Sequence, residues 1–351
     1  MQKTLLYLFI LLLFGGGVYY FIFQKEEAAF PESEAGFRIK DTGSIGTIFL
    51  SNPSGQNILL ARTDTGWILN KKYPVLMSTL NTLMATLYNQ EAVYPTPDEA
   101  HNRVITQLAG NGIKVELYDR NQNKMRTFYV GTEVHDYQGT SMLLEGAKRS
   151  YVVRIGSLVG ILNSRYTTDI DNWRDRTIIA APAEAIRKIE LSYPAAPLNS
   201  FTLVNDNGKY QVIADPGVVG TQPLNERRVK AYLGYFGNLV CEGFLNGDSE
   251  IDSLLSVSPK RCNLSVTTSN GKNYNVGIFW MPMTQRSKNT DTTRNRDVPD
   301  GFDVDRYYAV SNIGDTMLIQ EFAFGKIFRK AYEFYQADPT VDVVGDKKTA
   351  K

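Results

Sequence analysis

The feature that most constrains this chain is the stretch TLLYLFILLLFGGGVYYFIF at positions 4–23, which carries no charge over twenty residues. A helix of twenty residues covers about 30 Å, the thickness of the hydrocarbon core of a bilayer. A cleavable signal peptide usually has a shorter apolar region that ends at a small-x-small site. Gly15 and Gly17 fit such a site, but cleavage there would leave VYYFIF as the new terminus. We therefore expect a retained transmembrane anchor over residues 4–23, with a cleaved signal peptide as the alternative.

The flanking charges predict the orientation of this anchor. Lys3 lies in a short tip of residues 1–3, whereas Glu26 and Glu27 follow the apolar stretch. Because basic residues favour the cytoplasmic side, we expect a cytoplasmic N-terminus, an anchor in the inner membrane of a bacterium, and the bulk of the chain in the periplasm. Residues 24–38 are polar and acidic, and they are predicted to form a tether that reaches at most about 50 Å.

Composition places the rest of the chain among folded globular proteins. Its 351 residues, of which 21% are charged and 11% aromatic, suit two domains that each bury a core. The 38 Lys and Arg residues are balanced by 37 Asp and Glu residues. Because there is no net field to attract a polyanion, we expect no nucleic-acid partner.

An internal similarity predicts how these domains are built. IGTIFL at 45–50 recurs as IRKIEL at 186–191, and each copy continues with a strand, a helix behind Pro74 or Pro223, and two hairpins. Antiparallel hairpins with one packed amphipathic helix make an α+β domain. We therefore predict two tandem α+β copies, over residues 39–178 and 179–337, and a disordered tail over 338–351. A chance likeness between hairpin-rich segments is the alternative.

The runs DTGWILNKKYPVLMSTLNTLMATL at 64–87 and NWRDRTII at 172–179 resemble a bacterial family of envelope proteins that is catalogued as a domain of unknown function. Its members have one N-terminal membrane span, a Trp after the second strand and a short Arg-Asp-Arg segment. Some are neighbours of, or are fused to, the gliding-motility type of auxiliary component of ABC transporters. The resemblance covers residues 40–180 and is weaker in the second copy, where Tyr210 replaces Trp67. It implies a location and an architecture, and it supplies no catalytic residue.

Residues that could carry chemistry are scattered. His101 and His135 lack the close pairing of zinc ligands, so we expect both at the surface and neither a metal nor a cofactor. Cys241 and Cys262 would either form a disulfide that closes a loop of about twenty residues or serve as two small core residues. The sequence contains no nucleophile elbow, phosphate-binding loop or zinc-protease motif.

Carboxylates gather in two segments. Asp169, Asp171 and Asp175 lie in TTDIDNWRDR, and a pair such as the first two would suit glycoside hydrolysis. Five more Asp residues lie between 291 and 305, inside an insertion of the second copy over 284–305. Several oxygens on a loop would suit Ca²⁺, but Arg residues interleave with these acids, so we expect a solvated, self-neutralising insertion.

Two further segments are predicted to make contacts. Trp173, Arg174, Asp175 and Arg176 lie between the copies, where Trp173 would cover a core edge and the three charged residues would lock the junction by paired hydrogen bonds. The last helix, predicted over about 320–336, carries more aromatic residues than one face needs. We expect most of these rings to be buried in the core, with partner contacts as the alternative, at Phe322, Phe324, Phe328 and Tyr332.

Together these patterns favour a non-enzymatic, membrane-anchored periplasmic module. We expect an accessory or scaffolding subunit whose protein partner is a membrane complex of the ABC-transporter kind. One alternative is an enzyme that acts on envelope glycan or peptide through a carboxylate pair. Another is a small-ligand binder whose site lies between the two copies.

Overall fold

A computed structural model describes residues 30–134, 139–156, 160–219, 222–287 and 298–336. The predicted anchor over 4–23, the tip over 1–3, His135 and the predicted tail over 338–351 lie outside these residues. Within the described ranges, no helix is long and apolar enough to cross a bilayer. The chain divides into an N-terminal unit, Met1–Asp175, and a C-terminal unit, Arg176–Lys351, which is close to the boundary predicted between residues 178 and 179. The fold is α+β, with large antiparallel sheets and few helices.

The N-terminal unit is built on one antiparallel sheet of nine strands. Its strands are β1 (Ile45–Ser51), β2 (Asn57–Thr63), β3 (Gly66–Leu69), β4 (Tyr73–Pro74), β5 (Gln90–Pro95), β6 (Ile113–Asp119), β7 (Lys124–Glu133), β8 (Thr140–Leu144) and β9 (Tyr151–Ile155). Their order across the sheet is β4-β3-β2-β1-β6-β7-β8-β9-β5. The helices are α1 (Glu32–Ala35), α2 (Met77–Asn89) and α3 (Asp98–Asn111).

One face of this sheet carries the core of the N-terminal unit. Alternation along β1 turns Ile48 and Leu50 inward, as a period of two requires. The helix predicted behind Pro74 is α2, and its apolar stripe joins the same buried cluster through Leu80, Leu83 and Leu87.

The segment predicted as the end of a tether is instead part of the N-terminal unit. Phe37 is fully buried, and its ring lies 6.0 Å from that of Phe128. Gln90 Nε2 donates to the carbonyl oxygen of Phe37 at 2.7 Å. The Phe30 ring lies 5.2 Å from the ring of Tyr151. The prediction of a tether is therefore wrong for residues 30–38, because two aromatic rings in a polar sequence were enough to dock it.

The C-terminal unit holds an antiparallel sheet of eight strands and a small sheet of two. Its strands are β10 (Thr177–Ile179), β11 (Ile186–Ser192), β12 (Phe201–Asp206), β13 (Lys209–Ile213), β14 (Leu239–Val240), β15 (Gly243–Phe244), β16 (Lys260–Thr268), β17 (Asn273–Pro282), β18 (Phe302–Ser311) and β19 (Thr316–Gln320). The large sheet runs in the order β13-β12-β11-β16-β17-β18-β19-β15, and β10 pairs with β14. The helices are α4 (Pro216–Val219), α5 (Glu226–Gly234), α6 (Ser249–Val257) and α7 (Glu321–Phe324).

The end of the chain differs from the prediction of one helix over 320–336. Helix α7 stops at Phe324, and two short 3-10 turns follow it, Gly325–Ile327 and Ala331–Phe334. Tyr193 Oη donates to the carbonyl oxygen of Arg329 at 2.9 Å, and Glu333 Oε1 accepts from the N–H of Lys330 at 2.9 Å. In a continuous helix, these backbone groups would bond instead to backbone groups four residues away.

Candidate functional site

The segment predicted to lock the two copies divides at the unit boundary. Trp173 is fully buried in the core of the N-terminal unit, and its Nε1 donates to the carbonyl oxygen of Thr167 at 2.8 Å. The guanidinium of Arg174 lies 3.9 Å from the centre of the Tyr73 ring. The N–H of Asp175 donates to the carbonyl oxygen of Pro74 at 2.9 Å. These three residues therefore hold the β4 edge within their own unit.

Arg176 belongs to the C-terminal unit. Its Nη1 donates to the carbonyl oxygen of Glu242 at 2.8 Å, and its own carbonyl oxygen accepts from the N–H of Cys241 at 2.9 Å. The carboxylate of Glu242 accepts from both Nε and Nη2 of Arg306. This bidentate pair and the Arg176 contacts connect β18 with the chain around β14.

Cys241 and Cys262 are both buried and are not joined to each other, so the disulfide considered from the sequence is not formed. Both belong to the core cluster of the C-terminal unit, as the alternative prediction of small core residues requires. Burial raises the pKa of the Cys262 thiol to about 12. The thiol therefore stays protonated and unreactive near neutral pH.

The carboxylates of the predicted enzymatic pair organise their own loop. Asp169 accepts from the N–H of Asp171 at 3.1 Å and from Nδ2 of Asn172 at 2.9 Å. In the insertion, Asp303 is fully buried and accepts from Nη2 of Arg286 at 3.1 Å. Residues 288–297 of the insertion lie outside the described ranges. In the part of the chain that the structure describes, no group of three or more potential ligands is placed to hold a metal ion.

The four aromatic residues considered for partner contacts have different environments. Phe322 is 93% exposed and Tyr332 is 36% exposed, whereas Phe324 is fully buried and Phe328 is half-buried. The expected core burial is therefore confirmed for Phe324, and this ring is not available to a partner. Helix α7 contacts β14, on which Val240 is also exposed. We call Phe322 and Val240 the Phe322 patch.

A buried cation that the sequence analysis missed lies beneath this region. The Arg261 guanidinium is surrounded by the rings of Trp280, Tyr307 and Phe328, at 4.4, 4.7 and 4.0 Å from their centres. Arg261 Nη1 donates to Tyr307 Oη at 2.8 Å, and that hydroxyl donates to Glu321. Because the charge is stacked and hydrogen-bonded, this cluster is a stabilising part of the core.

A concave surface lies on the outer face of the C-terminal sheet, opposite the core. It has a cavity volume of about 780 Å³, which is in the range of ligand sites. We call it the polar groove and define it by six lining residues: Ser192, Thr202, Asn263, Ser265, Asn275 and Gly277. No pattern in the sequence marked it, because these residues come from four strands that are distant along the chain.

Strand register places these side chains in two rows. Glu190, Ser265 and Asn275 are direct neighbours across β11, β16 and β17, and Ser192, Asn263 and Gly277 form the next row. Gly277 has no side chain to fill the second row. A Cβ atom at this position would lie 3.3 Å from Cε2 of Phe279, whose ring borders the groove.

The lining of the groove carries little unbalanced charge. Glu190 forms an ion pair with Lys188 at 3.0 Å, and the ammonium of Lys260 lies 5.0 Å from the centre of the Phe279 ring. The other polar groups of the two rows are neutral amides and hydroxyls. The groove can therefore form many hydrogen bonds without attracting an ion.

Compared with known proteins, the chain matches no family model, no curated protein and no solved structure.

Proposed function

We propose that this chain is a membrane-anchored, non-enzymatic module that binds a protein partner at the periplasmic surface of the inner membrane, as an accessory subunit of a transporter-like complex. The observation that carries this proposal is the docking of residues 30–37 onto the N-terminal unit. It leaves only residues 24–29 between the predicted anchor and the folded protein.

This connection limits where the N-terminal unit can act. Six residues span at most roughly 20 Å when fully extended. With residues 4–23 in the bilayer, the N-terminal unit stays close to the membrane surface, so its available partners are other membrane proteins and proteins bound to them. The resemblance to the envelope family points to the same class of partner.

The Phe322 patch is the surface that we assign to the partner. Phe322 is 93% exposed, so its ring does not contribute the favourable free energy of apolar burial to the fold. Burial of such a ring at an interface stabilises a complex. Val240, on the strand that α7 contacts, adds exposed apolar area, and the ion pair between Arg306 and Glu242 supplies polar groups on β18 and in the chain around β14. This combination of an apolar centre and a polar border is typical of protein interfaces.

We further propose that the two units are diverged tandem copies. Support comes from the strand orders, in which β3-β2-β1-β6-β7-β8-β9-β5 corresponds step by step to β13-β12-β11-β16-β17-β18-β19-β15. The register also shifts at equivalent points, between Ile45 and Thr47 on β1 and between Ile186 and Lys188 on β11. A bulge at the same place in both sheets is unexpected for two unrelated hairpin arrays.

The test is photo-crosslinking in intact membranes. The photoreactive residue p-benzoylphenylalanine replaces Phe322 in one variant and Ile313 in the control, because Ile313 is another exposed apolar residue of the same unit, at 77% exposure. We expect one dominant adduct with an integral membrane protein at position 322 and none at position 313. Identical adducts at both positions, or none at 322, would contradict the assigned surface.

A second measurement tests the anchor separately. After extraction with alkaline carbonate, the full chain should stay in the membrane pellet and retain its original N-terminus. Release into the supernatant, or an N-terminus beyond position 23, would show that the stretch over 4–23 does not hold the mature protein in the bilayer.

A further inference from the structure

We propose that the polar groove of the C-terminal unit binds a neutral, polyhydroxylated chain of the oligosaccharide class. This site uses other residues than the Phe322 patch, and it goes beyond the docking function proposed above.

The two large sheets have equivalent positions that can be compared. Leu50 pairs with Ile58 and Val115, and Leu191 pairs in the same way with Phe201 and Leu264. Counting outward from these pairs aligns the two outer faces residue by residue, whatever the origin of the similarity.

At four aligned positions the N-terminal sheet carries a large side chain where the C-terminal sheet carries a smaller or polar one. The aligned pairs are Phe49 with Glu190, Leu59 with Thr202, Tyr129 with Gly277, and Leu143 with Val310. The four large residues are half-buried, so they fill their own face. Missing side-chain bulk at these positions, above all at Gly277, therefore contributes to the groove.

Neutral polar side chains line the polar groove. Asn263, Asn275 and Asn312 each offer an amide donor and an acceptor, and Ser192, Ser265 and Ser311 add hydroxyls. Among the described residues, Asn263 Nδ2 donates to Ser192 Oγ at the long distance of 3.4 Å, and Ser311 Oγ accepts from the N–H of Asp315 at 3.2 Å. Sugar hydroxyls, which both donate and accept, match such a surface.

Apolar surface borders these polar groups. Phe279 and Val310 lie along the groove, and Ile213 is 52% exposed at its far side. Sugar rings present C–H faces as well as hydroxyls, so they can contact apolar and polar borders at once. The combination of convergent polar groups and apolar walls is that of a small-molecule site.

Charge argues against an anionic occupant. Nucleic acid and acidic glycans need several cationic side chains along the site. The described lining contains one cationic residue, Lys260, and one anionic residue, Glu190. A peptide strand is also disfavoured, because extended peptides bind sheet edges through backbone hydrogen bonds. On this face the backbones of β11, β16 and β17 are already paired on both sides.

The decisive variant is Gly277→Tyr, which places the side chain of the aligned residue Tyr129 in the groove. The backbone at Gly277 has no positive φ, so an L side chain can adopt it, and the Phe279 ring needs to give by only a few tenths of an ångström to admit the Cβ atom. The matched control is Asn273→Tyr, an exposed position on the same strand and the same face that does not line the groove. A second variant, Asn275→Ala, removes one amide and keeps the hollow.

The experiment measures binding of maltohexaose, cellohexaose and chitohexaose to the full chain by calorimetry, in a detergent without a sugar headgroup. We expect at least one hexasaccharide to bind. Gly277→Tyr should weaken it by at least about tenfold, because the hollow is filled, and Asn275→Ala by about fivefold, the worth of one or two neutral hydrogen bonds. Asn273→Tyr should leave the affinity unchanged.

The proposal fails if none of the three hexasaccharides binds, or if Gly277→Tyr binds as tightly as the parent protein while its unfolding midpoint is unchanged. Preferential binding of heparin over all three neutral probes would also overturn it. Each of these results is independent of the crosslinking at Phe322, so the experiments test the polar groove and the Phe322 patch separately.

Discussion

At the scale of single residues, Trp173 shows how a polar segment between two units can be held by one of them. Its indole is fully buried in the N-terminal core, and its carbonyl oxygen accepts from the N–H of Leu76 at 2.7 Å. We expect Trp173→Ala to destabilise the N-terminal unit by about 3–5 kcal/mol, the usual cost of removing a large buried aromatic side chain. Hydrogen exchange should show faster exchange in α2 and unchanged exchange in β11 and β16.

The matched control for this change is Trp173→Phe, which keeps most of the buried volume and loses only the donor to Thr167. It should cost less than the alanine variant. Equal loss of protection in both units after Trp173→Ala would contradict the assignment of Trp173 to one core and would favour the junction that the sequence suggested.

Individual residues also mark what sequence patterns could and could not reveal. The alternation of β1 and the buried stripe of α2 follow from periodicity, and both are present. The burial of Phe324 beside the exposure of Phe322 does not follow, because a helix of four residues presents no complete periodic face. Tertiary packing decides which of two nearby rings in an aromatic segment is buried and which is exposed.

At the scale of elements, helix α6 depends on its cap. None of its residues is fully buried, and Asp248 accepts from the N–H groups of Glu250 and Ile251 at 3.0 and 3.3 Å. We expect Asp248→Ala to destabilise α6 by about 1 kcal/mol, which hydrogen exchange would detect as protection that falls about fivefold in this helix. Asp248→Asn keeps a capping oxygen and should retain most of the protection; equal losses in both variants would exclude capping as the cause.

Helix α3 and strand β15 are among the elements that the predicted element order lacks. Helix α3 contains His101, which looked like a loop residue in the polar run DEAHNR, and only Val104 and Leu108 of this helix are buried. Strand β15 has two residues. A helix with so narrow an apolar stripe and a strand this short lack enough periodic positions for a pattern to appear. The polar groove was missed for a related reason, since it needs the register of strands far apart in sequence.

At the scale of the whole molecule, the raised pKa values of a buried thiol and of buried tyrosine hydroxyls predict how stability responds to alkaline pH. Burial raises the pKa of Cys262 from 9.0 to about 12, and it also raises the pKa values of Tyr166 and Tyr232. These groups keep their protons when folded and release them when unfolded. Stability is therefore fully present below pH 9 and is lost as the pH rises from 9 towards 12.

Urea unfolding at pH 8 and pH 10 measures this loss. Cys262 alone should contribute on the order of 1 kcal/mol of it at pH 10, because this pH lies above the ordinary thiol pKa and below that of the buried thiol. Cys262→Ala lowers stability at both pH values because it leaves a cavity, but its loss between them should be smaller by that amount. The same pH dependence in the variant would rule out the thiol as a contributor.

The docking of Phe37 also has a consequence for the order in which the protein is made. This ring is among the first parts of the folded region to leave the ribosome, yet one of its buried neighbours, Phe128, is synthesised about ninety residues later. Until β7 emerges, the ring has no complete pocket, and its long sequence separation makes the contact slow to form. During synthesis the chain therefore carries an exposed phenylalanine for as long as it takes to make these ninety residues.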